Sequence, residues 1–167
     1  MRRGFAFVLL NLVLLAAGCA PQEPATPAAT GPDEALVRRE QYFGAAIASA
    51  KDIAWRPSGL GIRVLVSGQG VAPQPTDRIR VHYVGRLKDG TVFDDSRQRG
   101  KPADFVVNQL ITGWAAAMSA LKPGGHAEFF IPPSLGYGGM RAGSIPAFSG
   151  LIFDVELLAV NPDGPAN

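Results

Sequence analysis

Four stretches of the chain after residue 58 alternate apolar with polar residues or form short apolar runs, which predicts β-strands. They span residues 62–66, 79–83, 127–131 and 151–160. Glycine- and proline-rich segments such as Pro132-Pro133 separate them, as expected of turns and loops. The strands recur too closely for long helical crossovers, so the pattern favours an antiparallel sheet.

Two of these strands carry the expected core on one face, because side chains alternate between the two faces of a strand. His82 lies on the other face of its strand and is expected to be a solvated strand residue rather than a catalyst. The predicted inward positions are Ile79, Val81 and Tyr83 in one strand and Leu151, Phe153, Val155 and Leu157 in the other.

One short helix is predicted inside this domain. It opens at Gly113-Trp114, buries a stripe formed by Trp114, Met118 and Leu121, and ends at 122–125, where the sequence is Lys-Pro-Gly-Gly. Together the patterns predict an α+β fold, a twisted antiparallel half-barrel wrapped around one short helix. The long glycine-rich loop over 134–150 is typical of a functional loop.

A second helix is predicted before the domain, from Asp33 as N-cap to about Lys51, although Gly44 weakens it. Its apolar face carries Leu36, Phe43, Ile47 and Ala50. Two interpretations stay open: the helix packs on or beside its own domain, or it is a dimerisation segment. Its shortness favours a monomer.

The first residues have the physical pattern of an export signal. Arg2 and Arg3 precede an apolar run over 5–17, which is shorter than the roughly 20 residues of a membrane-spanning helix. An ordinary cleaved signal with an incidental cysteine is one interpretation. The other, which the pattern favours, is a bacterial lipobox, Leu15-Ala16-Ala17-Gly18-Cys19, in which Cys19 is lipidated. Its leucine lies one place earlier than usual, and the following Ala20 favours an outer-membrane destination.

Residues 21–32 alternate Pro, Ala, Thr and Gln with almost no bulky apolar group, which predicts an extended tether. The expected organisation is a signal over 1–18, lipidated cysteine and tether over 19–32, a helical extension over 33–57, the domain over 58–160 and a disordered tail over 161–167. Such a chain would sit in the cell envelope on a lipid anchor, facing the periplasm.

Composition excludes several classes of function. Without Arg2 and Arg3 the chain carries 14 basic and 14 acidic residues, so nothing in its charge favours nucleic acid. One cysteine cannot form a disulfide framework, and the two histidines form no metal-binding pattern. No Gly-x-Ser-x-Gly motif or Cys–His pair suggests a nucleophile, and no cofactor is expected.

The central motifs resemble those of the FKBP-type peptidyl-prolyl isomerases, the macrolide-binding immunophilins. The resemblance covers roughly 58–160 and is specific because several spaced motifs occur in the same order. These motifs are Val-His-Tyr-x-Gly over 81–85, Asp-Gly-x-x-Phe-Asp-x-Ser over 89–96, Lys-Pro at 101–102, Ile-x-Gly-Trp over 111–114, Leu-Gly-Tyr-Gly over 135–138, Ile-Pro at 145–146 and the final strand.

The resemblance implies a role for each matching residue. Trp114 would be the floor beneath a substrate proline, and Phe105 would pack just behind it. The N–H of Ile111 and the hydroxyl of Tyr137 would hold substrate carbonyls, and Asp94 would either orient Tyr83 or face the twisting carbonyl. The remaining walls and cap would be Tyr83, Phe93, Leu110, Phe153 and Ile145. Trp114, Phe105 and Phe153 also fit simple core positions.

Two departures from the family pattern bear on inhibitors. The family commonly has a pocket-lining Phe where this chain has Ala103, and the loop from Tyr137 to Ile145 is slightly short. Both imply weakened macrolide binding. The expected function is isomerisation of proline-containing unfolded or exported polypeptides. The alternative is a non-catalytic chaperone or adhesion lipoprotein that grips apolar segments in the same cleft.

Overall fold

The structure, a computed structural model, describes residues 32–164, which form seven strands and three α-helices. The signal, Cys19, most of the tether and residues 165–167 lie outside it. The helices are α1 (Pro32–Phe43), α2 (Ala45–Ala48) and α3 (Thr112–Met118). The strands are β1 (Ala54–Trp55), β2 (Gly61–Val66), β3 (Arg78–Arg86), β4 (Val92–Asp95), β5 (Ala103–Val106), β6 (Gly125–Ile131) and β7 (Leu151–Val160), and short 3₁₀ turns occupy Val107–Gln109 and Pro133–Leu135.

The strands form one antiparallel sheet in the order β1-β2-β6-β7-β3-β4, and β5 pairs with β3. Ile79, Val81 and Tyr83 of β3 point into the core, and so do the four inward positions predicted for β7. The predicted α+β fold is confirmed. No helix between residues 32 and 164 combines the length and apolarity needed to cross a bilayer.

Helix α3 supplies the predicted buried stripe, with Trp114 3% exposed and Met118 and Leu121 fully buried. The helix ends earlier than predicted, at Met118, and Leu121 follows in a turn. Gly113 explains how close α3 lies to the sheet, because a Cβ there would lie 2.4 Å from the Ile131 side chain. The start of α3 is thereby fixed beside β6.

The single helix predicted from Asp33 to Lys51 is wrong. Gly44 has a φ of 86°, a left-handed conformation that ends α1 at Phe43 before α2 begins. Since α1 begins at Pro32, Asp33 lies inside the helix rather than at its N-cap. Leu36 of the predicted apolar face is exposed, whereas Phe43 is buried.

Phe43 attaches the N-terminal segment to the sheet. Its ring lies 5.9 Å from that of Phe130 and 5.8 Å from that of Trp55. Ile53 and Ile152 complete this small second core. Because these rings are buried within one chain, α1 packs on its own domain.

The stretch expected to be helical up to residue 57 contains a strand, β1, which pairs with β2. At the C-terminal end, the first residue of the expected tail over 161–167, Asn161, is hydrogen-bonded to the domain. Asn161 accepts a hydrogen bond from the Arg78 backbone N–H at 2.9 Å and donates one to Asp77 at 2.9 Å. The described unit therefore extends past the expected domain on both sides.

Candidate active site

A cavity of about 490 Å³ opens beside β3, β4, β5 and the start of α3. Its volume lies in the range of small-ligand sites, about 300–1,000 Å³. The structure brings together all ten residues placed in the cleft from the sequence. They are Tyr83, Phe93, Asp94, Phe105, Leu110, Ile111, Trp114, Tyr137, Ile145 and Phe153, and Gln109 also lines the cavity.

The indole of Trp114 is the floor of this cleft and is held by other rings. Its centroid lies 5.3 Å from that of Phe153 and 5.5 Å from that of Tyr83, both nearly perpendicular to it. Phe129 and Phe105 pack on it at 5.9 and 6.1 Å. Edge-to-face contacts of this kind stabilise ring positions beyond simple burial. Phe105, expected just behind the floor, lines the cavity itself.

The cleft wall formed by Phe93 and Phe153 depends on the missing side chain of Gly85. A Cβ at Gly85 would lie 2.5 Å from the Phe93 ring and 2.8 Å from the Phe153 ring. Because Gly85 has no side chain, the Phe93 and Phe153 rings can meet edge to face, with centroids 5.5 Å apart. Gly85 thus sets the position of two cleft walls.

The carboxylate of Asp94 lies at the cleft edge in a network with Tyr83 and Arg99. The Tyr83 hydroxyl donates to one carboxylate oxygen, and the Arg99 guanidinium donates to the other. Arg99 also donates to the Tyr83 hydroxyl oxygen at 3.0 Å and lies over the Tyr83 ring, 5.5 Å from its centroid.

Burial alone would raise the pKa of Asp94, but the hydrogen bonds from Tyr83 and Arg99 and the guanidinium charge hold this pKa below its ordinary value. Burial, followed by the hydrogen bond to Asp94, raises the pKa of Tyr83. At neutral pH the site therefore contains an ionised carboxylate and a neutral phenol. The carboxylate fixes the tyrosine ring that forms one wall.

The Ile111 backbone N–H, just before α3, and the Tyr137 hydroxyl are donors at the cleft that make no hydrogen bond to an acceptor among residues 32–164. Ile145 closes the site from the loop and is itself fixed by paired backbone hydrogen bonds with Ala142, at 2.9 and 3.1 Å. The cleft therefore combines apolar walls with hydrogen-bond donors that are free to bind a ligand.

Sequence reasoning missed Gln109, which lines the cleft, and Arg99, which bonds to Asp94 and Tyr83 at its edge. The loop after β4 contains two arginines, and spacing does not distinguish them. In the structure Arg97 instead pairs with Glu156 at 2.9 Å. The only available signal for Arg99 was its nearness to Asp94 in the chain. His82 is not among the cavity-lining residues, and its ring nitrogen lies 3.0 Å from the Ser96 hydroxyl.

The geometry defines a class of site: an apolar, ring-lined cleft with a few polar groups at its edge, the usual form of a small-ligand site. Within residues 32–164 no cluster of potential metal ligands accompanies the cleft. The family model "FKBP-type peptidyl-prolyl cis-trans isomerase" matches residues 69–158. The chain belongs to this family, and the family resemblance seen in the sequence is confirmed.

Several relatives and a solved structure are similar to this chain. The FKBP-type 22 kDa peptidyl-prolyl cis-trans isomerase of Escherichia coli is 53% identical over 104 residues, which cover 62% of this chain and 50% of the relative. The macrophage infectivity potentiator of Trypanosoma cruzi is 38% identical over 164 residues, covering 95% of this chain and 84% of the relative. The crystal structure of FkpA from Escherichia coli superimposes with a TM-score of 0.70 at 37% identity, covering 81% of this chain and 60% of that one.

The chain spans about half the length of the first curated relatives that it matches. The activities of those relatives as whole proteins are therefore only proposed for this chain.

Proposed function

We propose that this chain is a peptidyl-prolyl cis-trans isomerase that assists the folding of exported proteins. The observation that carries the proposal is the ring-lined cleft floored by Trp114, with Asp94 ionised at its edge. Beside it, the Ile111 N–H and the Tyr137 hydroxyl make no hydrogen bond to residues 32–164. Its substrates are proline-containing unfolded polypeptides, and it uses no cofactor.

Rotation about an X–Pro bond needs no nucleophile. The barrier of about 18–20 kcal/mol comes from losing amide resonance as the bond twists. A twisted amide has less charge separation than a planar one, so an apolar cleft favours it over the ground state. Lowering the barrier by about 5 kcal/mol accelerates the step several thousandfold.

The roles follow from position. Trp114 receives the proline ring, and the rings of Tyr83 and Phe153 exclude water around it. The Ile111 N–H and the Tyr137 hydroxyl hold carbonyls of the substrate backbone, so that one side of the twisting bond is fixed while the other rotates. Asp94 keeps Tyr83 in place, or faces the carbonyl that rotates.

The test is a protease-coupled isomerisation assay on a set of X-Pro peptides, run beside catalysed refolding of a proline-limited protein. Acceleration of both reactions supports the enzyme. If the protein instead binds unfolded chains and accelerates neither reaction, it is a chaperone or adhesion protein that uses the same cleft. The absence of a ring at Ala103 is the one feature that favours this second function.

The export signal and the lipobox support a cell-envelope location with lipid attached at Cys19, at the outer membrane and facing the periplasm. Phe43 is buried against Phe130 of its own sheet, which supports a monomer because this ring of α1 packs within its own chain.

Cys19→Ala is expected to move the protein from the membrane to the soluble fraction and to leave peptide isomerisation intact. Stable anchoring needs more than one acyl chain, which a bacterial lipoprotein carries on this cysteine. The measurement is fractionation of both forms together with labelling by a fatty acid. Failure of the label to mark the unmodified protein would refute the anchor.

Ala103→Phe is expected to strengthen macrolide binding about fivefold, part of the contribution of one buried apolar side chain. Ala103 lies in β5 two residues before Phe105, packs against the core and is not among the cavity-lining residues. A ring there extends the wall that Phe105 begins. Titration calorimetry of both forms measures the gain, and equal affinities would show that this position does not face the ligand.

A further inference from the structure

The backbone of Phe148 is in a conformation that suits its residue type poorly. Its φ is 59°, in the left-handed region, and its side chain is 70% exposed. Asn161 is the other non-glycine residue of 32–164 with a positive φ, at 48°, and asparagine tolerates this region. A bulky residue there is an outlier, and such strain is found most often at functional sites.

The surrounding loop holds the Phe148 ring at a defined position without burying it. The Phe148 N–H donates to the Gly138 carbonyl at 2.8 Å, one residue after Tyr137 of the cleft. A Cβ at Gly139 would lie 3.0 Å from the ring, so the ring stands directly over this glycine. The ring is therefore positioned, and its free face is available to a ligand.

Phe148 lines a second cavity, a groove of about 460 Å³. Ile145 lines the cleft, and the next residue, Pro146, lines the groove. The remaining groove residues come from the end of α1, the β3–β4 turn and the loop before β7: Gln41, Tyr42, Leu87, Lys88, Asp89, Ser149 and Gly150. Consecutive residues of one loop thus line the cleft and the groove, which places the groove within reach of a polypeptide bound in the cleft.

The charged groups of this groove are already bonded within the chain. The Lys88 ammonium donates to the carbonyls of Glu40 and Gln41, each at 3.1 Å. Asp89 accepts from the Thr91 N–H at 2.9 Å, and the Ser149 hydroxyl donates to the Pro146 carbonyl at 2.9 Å. The Phe148 ring, 70% exposed, is the large exposed apolar side chain of the groove, and it favours an apolar side chain as its ligand.

We propose that Phe148 determines substrate specificity by binding an apolar side chain that lies a few residues from the isomerised proline on the same polypeptide. The proposal rests on the proposed function, because the cleft orients the segment that enters the groove. It makes the groove a second recognition point for unfolded clients, which display apolar residues that folded proteins bury.

The test compares the full-length protein with Phe148→Asn, which removes the ring and suits a positive φ. Substrates are a short X-Pro peptide and versions of it extended on the N- or C-terminal side by a segment containing either Phe or Ser. One Phe-containing extension should raise the catalytic efficiency about fivefold over its Ser counterpart, the effect of withdrawing one ring partly from water. In Phe148→Asn this ratio should fall to about one.

A measurement of thermal stability separates a specificity role of Phe148 from a merely structural one. Since Phe148→Asn relieves backbone strain, its thermal midpoint should rise by about 3 °C or more while the preference for Phe is lost. Val71→Asn is the matched control: Val71 is 76% exposed and lies outside both the cleft and the groove, so its preference ratio should equal that of the unmodified protein.

The proposal is overturned if neither Phe extension is preferred, if Phe148→Asn keeps the preference, or if the groove binds a second copy, seen as Phe148-dependent dimerisation in light scattering. These outcomes differ from failure of the proposed function, which would appear as no acceleration of the short peptide. In that case fluorescence anisotropy of the labelled extended peptides, with the same two variants, still tests Phe148 as a binding residue.

Discussion

Replacing Asp94 by alanine is expected to lower the catalytic efficiency of isomerisation about thirtyfold, which corresponds to about 2 kcal/mol of transition-state stabilisation. The substitution removes the acceptor that holds both the Tyr83 hydroxyl and Arg99. The Tyr83 wall then loses its fixed position, and the carboxylate is gone from the cleft edge. Peptide isomerisation and catalysed refolding of a proline-limited protein measure the loss, and circular dichroism checks that the variant folds.

Glu156→Ala is the matched control for this substitution. Glu156 pairs with Arg97 outside the cleft, and its side chain is 40% exposed, against 38% for Asp94. Its loss should leave both reactions unchanged. Tyr83→Phe separates the two roles open to Asp94, because equal losses mean that Asp94 acts by orienting Tyr83, whereas a larger loss in Asp94→Ala means that it also faces the carbonyl.

Tyr137→Phe should reduce activity less than Asp94→Ala, because the Ile111 N–H still holds a substrate carbonyl. If Asp94→Ala and Tyr137→Phe both fold and keep full activity on peptide and protein substrates, the assignment of the site is wrong.

Gly85→Ala is expected to lower the free energy of unfolding by about 2 kcal/mol, in the range for overpacking a tight core, and the catalytic efficiency about tenfold. The added methyl overlaps the rings of Phe93 and Phe153. Phe153 cannot retreat without moving Trp114, with which it packs at 5.3 Å, so the rings must shift into the cleft. Urea unfolding and the peptide assay measure the two effects.

A second substitution tests whether crowding is the cause. Phe93→Leu in the Gly85→Ala background removes the ring that meets the methyl most closely and should restore much of the lost stability. Activity should recover less, since the wall then lacks one ring. A double variant that is no more stable than Gly85→Ala would contradict the proposed overlap.

The strands of the core were predictable because alternation assigns each strand residue to a face, whereas the membership of the cleft was predictable from the family motifs. Once Tyr83 and Phe153 face inward on β3 and β7, which are paired in the sheet, their rings must lie close together. Trp114 joins them because the helical spacing of Trp114 and Met118 fixes the buried side of α3. The predicted final strand has the same bounds as β7.

Other features depend on local geometry that leaves no pattern. The helical periodicity continues across Gly44, so only its backbone conformation reveals that α1 ends there. Strand β1 has two residues, too few to alternate. Arg99 acts across a loop whose shape the sequence does not specify. The strain at Phe148 likewise leaves no sign in the sequence, since an exposed phenylalanine in a loop looks like any other loop residue.

The second core determines where a shortened fragment of this protein can begin. Phe130 and Ile152 are register partners on β6 and β7, and they are 0% and 2% exposed only because Phe43, Ile53 and Trp55 cover them. A fragment that begins at residue 58, or at the family boundary of residue 69, leaves this paired apolar surface in water and favours self-association through it. The shortest fragment that keeps it covered starts at α1.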